Sequence, residues 1–115
     1  DLAGWSRPAA DLRRLLLKAC DLRGANLAGS DLRDANLSLS DLRGANLAGA
    51  DLRGADLEGA DLRGADLRGA DLRVTALSAT RFCDPDGRGG ARVDGIRLGG
   101  HHGLLEDQER YLVGP

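Results

Sequence analysis

Ala50-Asp51-Leu52-Arg53-Gly54-Ala55-Asp56-Leu57-Glu58-Gly59-Ala60-Asp61-Leu62-Arg63-Gly64 repeats one five-residue unit: small, acidic, Leu, variable, Gly. Outward from this stretch the beat continues in both directions. Leucine recurs at every fifth position as Leu22, Leu27, Leu32, Leu37, Leu42, Leu47, Leu52, Leu57, Leu62, Leu67, Leu72 and Leu77, and Phe82 takes the next beat. The residue two before each beat is small, from Cys20 through Thr80. The residue just before it is almost always Asp or Asn.

A period of five suits neither common element. On a helix, five residues advance about 500°, so successive leucines would scatter around the cylinder and leave no stripe to bury. On a flat strand, an odd spacing flips successive leucines between faces. A chain that turns a corner once per unit solves both problems, because every Leu then points inward.

The A-(D/N)-L-x-x unit, written here as Ala50-Asp51-Leu52-Arg53-Gly54, resembles the pentapeptide repeat family, and the resemblance covers residues 20–82. It implies an all-β solenoid, a right-handed quadrilateral β-helix with about four units per coil. Residues twenty apart would then stack. Leu22, Leu42, Leu62 and Phe82 make one inner column, and Leu27, Leu47 and Leu67 the second. Leu32, Leu52 and Leu72 make the third, and Leu37, Leu57 and Leu77 the fourth. Each buried Leu is worth roughly 1.5–3 kcal/mol. Glycine closes most units, for example at Gly24, Gly44 and Gly64, which predicts type II turns with positive φ at that residue. Asp34, Leu39, Val74 and Ala79 replace that glycine, and their corners are expected to turn differently.

The ends read differently from the middle. Residues 1–19 are expected to form an N-terminal segment and capping helix. Pro8 and Asp11 suit its first turn, and Ala, Leu, Arg and Lys favour it. The rival reading is two further repeats, since Leu12 and Leu17 keep the beat, but Leu15 would then fill a small position. In the helical reading, Trp5 packs over the first coil. Residues 83–100 read as a loop insertion followed by two degenerate repeats, Ala91–Gly95 and Ile96–Gly100, one residue out of phase. Residues 101–115 read as a C-terminal helix with Leu104, Leu105, Gln108, Tyr111 and Leu112 on one face. That helix either caps the open end or pairs with its copy in a second chain.

Composition narrows the functional classes. The 115 residues carry a formal net charge of −2, so no bulk charge draws the chain to nucleic acid or an anionic membrane. No apolar run approaches a membrane span. Cys20 and Cys83 would lie about three coils, or ~14 Å, apart, too far for a disulfide. Thiols fit a reducing compartment, and the expectation is cytoplasmic. The sequence contains no Met, which predicts residues ahead of Asp1.

Candidate chemistry is sparse. Asp84-Pro85-Asp86-Gly87 resembles the start of a calcium loop, but position twelve is Gly95 rather than Glu. His101-His102 has no acidic partner placed by the sequence, and no His is placed near Cys83. The chain is therefore expected to be non-enzymatic, with no catalytic residue, cofactor or metal. Its expected role is protein–protein interaction through flat faces or capped ends. Candidate anchors are Trp5, Leu104, Leu105, Tyr111 and Leu112, with Phe82 a further aromatic at an irregular end. Homodimerisation through the C-terminal helix is one expected use of these residues.

The resemblance also implies an alternative partner, DNA gyrase. Some members mimic DNA and inhibit or protect that enzyme, conferring fluoroquinolone resistance. Residues 20–82 hold ten Asp and Glu against eight Arg, where a DNA mimic needs a strongly negative rod.

Overall fold

The computed structural model describes residues 1–86, 88–99, 108, 111 and 112. Parallel β-bridges join residues twenty apart, from Ser6 with Asn26 to Asp61 with Arg81. Four five-residue units therefore make one coil, and successive coils stack in register. Each unit contributes three ladder bonds. Leu22 N–H donates to Asp41 O at 2.8 Å, Gly24 N–H to Arg43 O at 3.1 Å, and Asp41 N–H to Cys20 O at 2.9 Å. A fourth bond closes the corner, as from Ala25 N–H to Leu22 O at 3.0 Å.

One backbone donor per unit is left out of this scheme, the N–H two residues after the acidic position. The Asp or Asn side chain accepts it: Asn26 Oδ1 from Ala28 at 3.2 Å, Asp56 Oδ1 from Glu58 at 2.9 Å. This explains the (D/N) in the motif, since either side chain reaches its own backbone two residues on.

The core is the stack of leucines. Leu22 through Leu77 on the beat, together with Phe82, are fully enclosed. Small residues fit between them because a coil lies above and below. Where the small position carries a hydroxyl, it donates to a carbonyl, as Ser30 to Arg7 O at 2.8 Å and Thr80 to Leu57 O at 2.7 Å. No buried hydroxyl of this set is wasted.

The structure corrects two expectations. Residues 8–19 are not a helix. They continue the coil, with bridges Asp11–Asp31 and Leu16–Asn36 and left-handed corners at Ala9, Arg14 and Ala19. The physical reason is the edge beneath them. Leu2, Gly4, Arg7, Ala9, Leu12, Arg14, Leu17 and Ala19 all donate to carbonyls of residues 21–38, which a helix would leave unpaired. Leu15 and Trp5 fit the small position there because no further described coil encloses that end, and both are only half-buried.

Second, the corners without glycine do not turn differently. Asp34, Leu39, Val74 and Ala79 hold φ of 60°, 60°, 60° and 57°, against 67–72° at the glycines from Gly24 to Gly69. Neighbouring coils impose the turn: Leu39 N–H still donates to Glu58 O at 2.8 Å and Val74 N–H to Gly99 O at 2.7 Å. Left-handed backbone in a β-branched or bulky residue is strained, so these corners are held by the stack and not by their own preference.

Past Phe82 the bridge offset rises from twenty to twenty-six, as in Asp66–Arg92 and Asp71–Arg97. Six extra residues thus leave the wall at one corner. Ala91 N–H donates to Phe82 O at 2.7 Å, so the loop sits across a corner bond of the usual kind. Asp84 pins it: its Oδ1 lies 2.9 Å from Arg63 Nη1. Beyond the loop, Ala91 takes the small inward position and Val93 and Leu98 the leucine positions.

Candidate interaction surface

Four flat sides follow from four units per coil. The first carries Asp21, Asp41 and Asp61, and the third carries Asp11, Asp31, Asp51 and Asp71. Each of these carboxylates holds the arginine two residues on in a two-pronged pair. In the central coil, Arg53 Nε lies 2.9 Å from Asp51 Oδ1 and Nη2 lies 2.6 Å from Oδ2. The same arginines reach across to the next coil. Arg33 Nε is 3.8 Å from Asp51 Oδ2, and Arg53 Nε is 3.7 Å from Asp71 Oδ2. Both sides are therefore continuous ladders in which each aspartate meets an arginine.

This pairing tunes the carboxylates. Hydrogen bonds from Arg23 hold Asp21 down at about 2, and Arg68 and Arg73 do the same for Asp66 and Asp71. These values lie below the ordinary carboxylate value near ~3.9, so the ladders favour the folded state above about pH 4 and lose that contribution as pH falls towards 2. Thermal melts followed by circular dichroism should show a level midpoint down to about pH 4 and a decline below it. The decline should shrink in high salt, because the pairs are solvent-exposed.

The second side is quieter, with Asn26, Asn46 and one ladder pair, Asp66–Arg68, whose Nη2–Oδ2 distance is 2.6 Å. The fourth side differs in kind. It carries Leu16, Asn36, Asp56 and Ala76 in the bridge column and Lys18, Ser38, Glu58 and Ser78 two residues on. Among the described residues, Asp56 and Glu58 have no arginine or lysine within ion-pair distance. Among the described residues, the exposed large apolar side chains are Leu16, Leu39 and Val74, which lie on this side or its two corners at 79%, 60% and 63% exposure.

The sequence-derived anchors fall in different places. Trp5 is half-buried at the first coil with Arg7 over its ring at 5.2 Å from the centroid. Phe82 is wholly enclosed and cannot serve as a surface anchor. Tyr111 and Leu112 face their own chain. The Tyr111 hydroxyl donates to Ala91 O at 2.7 Å, and Leu112 joins the hydrophobic core. Leu104, Leu105, His101 and His102 lie outside the described residues. Gln108, which the sequence places on the C-terminal face, is buried against Phe82 and Cys83, and Leu16, Glu58 and Val74 on the fourth side or its corners carry no role in the sequence reading. The available signal was register: Leu16, Leu39, Glu58 and Ala76 all depart from the motif on the same quarter of the coil.

Asp84 and Asp86, the start of the calcium-like pattern, are engaged within the protein. Asp84 pairs with Arg63, and Asp86 Oδ1 accepts the Arg88 N–H at 3.0 Å. Among the described residues no group of three His, Cys, Asp or Glu side chains converges as a metal site. Among them, too, no helix is long and apolar enough to cross a membrane.

A solenoid of five-residue units with a leucine core and twenty-residue coils defines a class, and the family model for pentapeptide repeats matches residues 10–47 and 40–82 in 8 copies. The chain belongs to the pentapeptide repeat family, whose architecture is the right-handed quadrilateral β-helix. Among solved structures it is similar to alr5209, a pentapeptide repeat protein from Nostoc PCC 7120, at 35% identity and a TM-score of 0.58, covering 79% of each chain. It is also similar to the pentapeptide repeat protein Rfr23 from the cyanobacterium Cyanothece 51142. There the identity is 27% and the TM-score 0.50, with 85% of this chain and 84% of the other covered. QnrB1, a plasmid-mediated fluoroquinolone resistance protein, is more distant, at 24% identity and a TM-score of 0.37, over 80% of this chain and 45% of that one. No curated protein matches the sequence.

Proposed function

We propose that this chain is a non-catalytic protein-binding module that presents flat solenoid sides to a protein partner. The observation that supports it is the regular, paired exterior. Outward side chains on two sides are locked in paired ladders, and their spacing is set by backbone bonds between coils. Such a surface is preorganised for docking, so little side-chain freedom is lost on binding.

Photo-cross-linking residues placed singly at Ser78, Arg43, Ala48 and Arg53 put one probe on each side. A discrete covalent adduct from at least one position in the source cell is the expected result. Four silent positions would sink the reading. DNA gyrase is the alternative partner, and the neutral ladders of the first and third sides weigh against a DNA mimic. A supercoiling assay at low salt, with and without a fluoroquinolone, should show neither inhibition nor drug protection. Either effect would put gyrase in place of the general module. Dimerisation through residues 101–115 has less support, since Tyr111 and Leu112 are spent on the chain's own end.

A further inference from the structure

We propose that the fourth side is the docking side, and that it takes an extended segment of a partner protein carrying basic residues beside apolar ones. This rests on the module reading above and names the side and the chemistry.

Three observations converge. The large apolar side chains that are exposed among the described residues gather here, Leu16 on the side itself and Leu39 and Val74 at its two edges. Neither corner residue serves its turn well, since glycine would adopt φ near +60° without strain. Their apolar side chains thus cost backbone energy and expose hydrophobic surface, which folding does not explain. The charge on this side is also uncompensated. Wherever Asp21, Asp31, Asp41, Asp51, Asp61, Asp66 and Asp71 recur, an arginine stands two residues on, but after Asp56 the residue is Glu58, a second acid. Finally, the side is hollowed. Ser38 lines the floor, only 7% exposed, and its hydroxyl donates to Asn36 Oδ1 at 2.6 Å. The hollow, ≈ 260 Å³, runs between Lys18 and the Asp56–Glu58 pair, with Leu39 on its rim.

Charge complementarity fixes the occupant. Two unpaired carboxylates call for Arg or Lys, Leu39 and Leu16 call for aliphatic neighbours, and Lys18 calls for an acid. Lys18 and Glu58 are two coils apart, about 10 Å, which an extended chain spans in about three residues. The carboxylates disfavour an anionic lipid surface.

The test uses the whole chain and two synthetic peptides, Glu-Leu-Thr-Arg-Leu-Arg and its charge reverse Lys-Leu-Thr-Glu-Leu-Glu. Amide shifts are followed by heteronuclear NMR. The basic peptide should move the amides of residues 36–39 and 56–59 and leave the Arg53 side still. A triple variant, Leu39→Gly with Asp56→Asn and Glu58→Ser, installs residues that the same columns already carry at Gly59, Asn36 and Ser38. It should melt as a folded solenoid and bind the basic peptide about tenfold more weakly. The proposal is overturned by equal shifts from both peptides, by shifts confined to another side, by no shift at all, or by binding to anionic phosphatidylserine vesicles in place of the peptide. In those cases cross-links from Arg43, Ala48 or Arg53 would still leave the module reading intact, whereas silence from all four probes would remove both.

Discussion

Leu52→Ala should lower the free energy of unfolding by about 2–5 kcal/mol. Leu52 is wholly enclosed in the central coil, stacked between Leu32 and Leu72 and flanked by Ala50 and Ala55. Truncation removes buried methyl groups and leaves a void. The void cannot readily close, because ladder bonds such as Leu52 N–H to Asp71 O at 2.8 Å hold the coils at fixed spacing. The cost depends on how far a site can collapse, and here it can collapse little. Leu12→Ala makes the contrast. Leu12 lies on the same beat and in the same column, but in the outermost described coil and only half-buried. Its loss should cost about 1 kcal/mol, less than half as much. Urea titrations of both variants against the parent protein measure the difference. Equal losses would mean that coils do not gain stability from neighbours on both sides, contrary to a nearest-neighbour stack.

Gln108→Leu should destabilise by about 2–4 kcal/mol, although the new side chain is apolar and of similar size. Gln108 is 3% exposed and sits at the end of the coil stack. Its Oε1 accepts from Phe82 N–H at 2.6 Å and Cys83 N–H at 3.0 Å, and its Nε2 donates to Cys83 O at 3.0 Å. One amide therefore serves the backbone at the corner where the six-residue loop leaves the wall. Leucine keeps the volume and takes away these bonds at a buried site, where Phe82 N–H loses its acceptor. Gln108→Glu would retain the acceptor and lose the donor to Cys83 O, and should fall between. Thermal melts of the three proteins give the order, parent above Glu above Leu. A Leu variant as stable as the parent would show that the C-terminal segment merely rests on the end.

The repeat was legible because its signal is redundant. Leu22 to Leu77 repeat one constraint, that an inward position enclosed on all sides must be apolar, and the spacing of five admits few geometries. The corner chemistry was half legible. Glycine announced positive φ, but Leu39 and Val74 adopt it too, because the bonds from adjacent coils outweigh a local preference that a sequence window can display. The N-terminal coil reads as a helix for a related reason. Local helix propensity in residues 8–19 is real, but the unpaired carbonyls of residues 21–38 decide the outcome, and those are remote in sequence. The fourth side was legible in part, since a register of twenty already sets Asn36, Asp56 and Glu58 on one side. Leu16, Leu39, Glu58 and Val74 look like scattered exceptions along the chain. Only the twenty-residue register brings them onto one surface.

The loop after Phe82 shows that this molecule counts sides rather than residues. Six additional residues at a corner leave every later unit facing as it would have faced, since Arg92 still stands over Asp66 and Arg97 over Asp71. The arithmetic of insertion and deletion is therefore unlike that of most proteins. Losing one five-residue unit from the middle would rotate everything beyond it by a quarter revolution, setting arginine columns over the acidic hollow and carrying the terminal segment to a different compass point. Gaining twenty residues would only lengthen the rod by one storey. Duplication in steps of a full coil is silent in orientation, and a loop at a corner is silent too. A lineage of such chains can thus change height and ornament freely while the bearing of every side stays fixed.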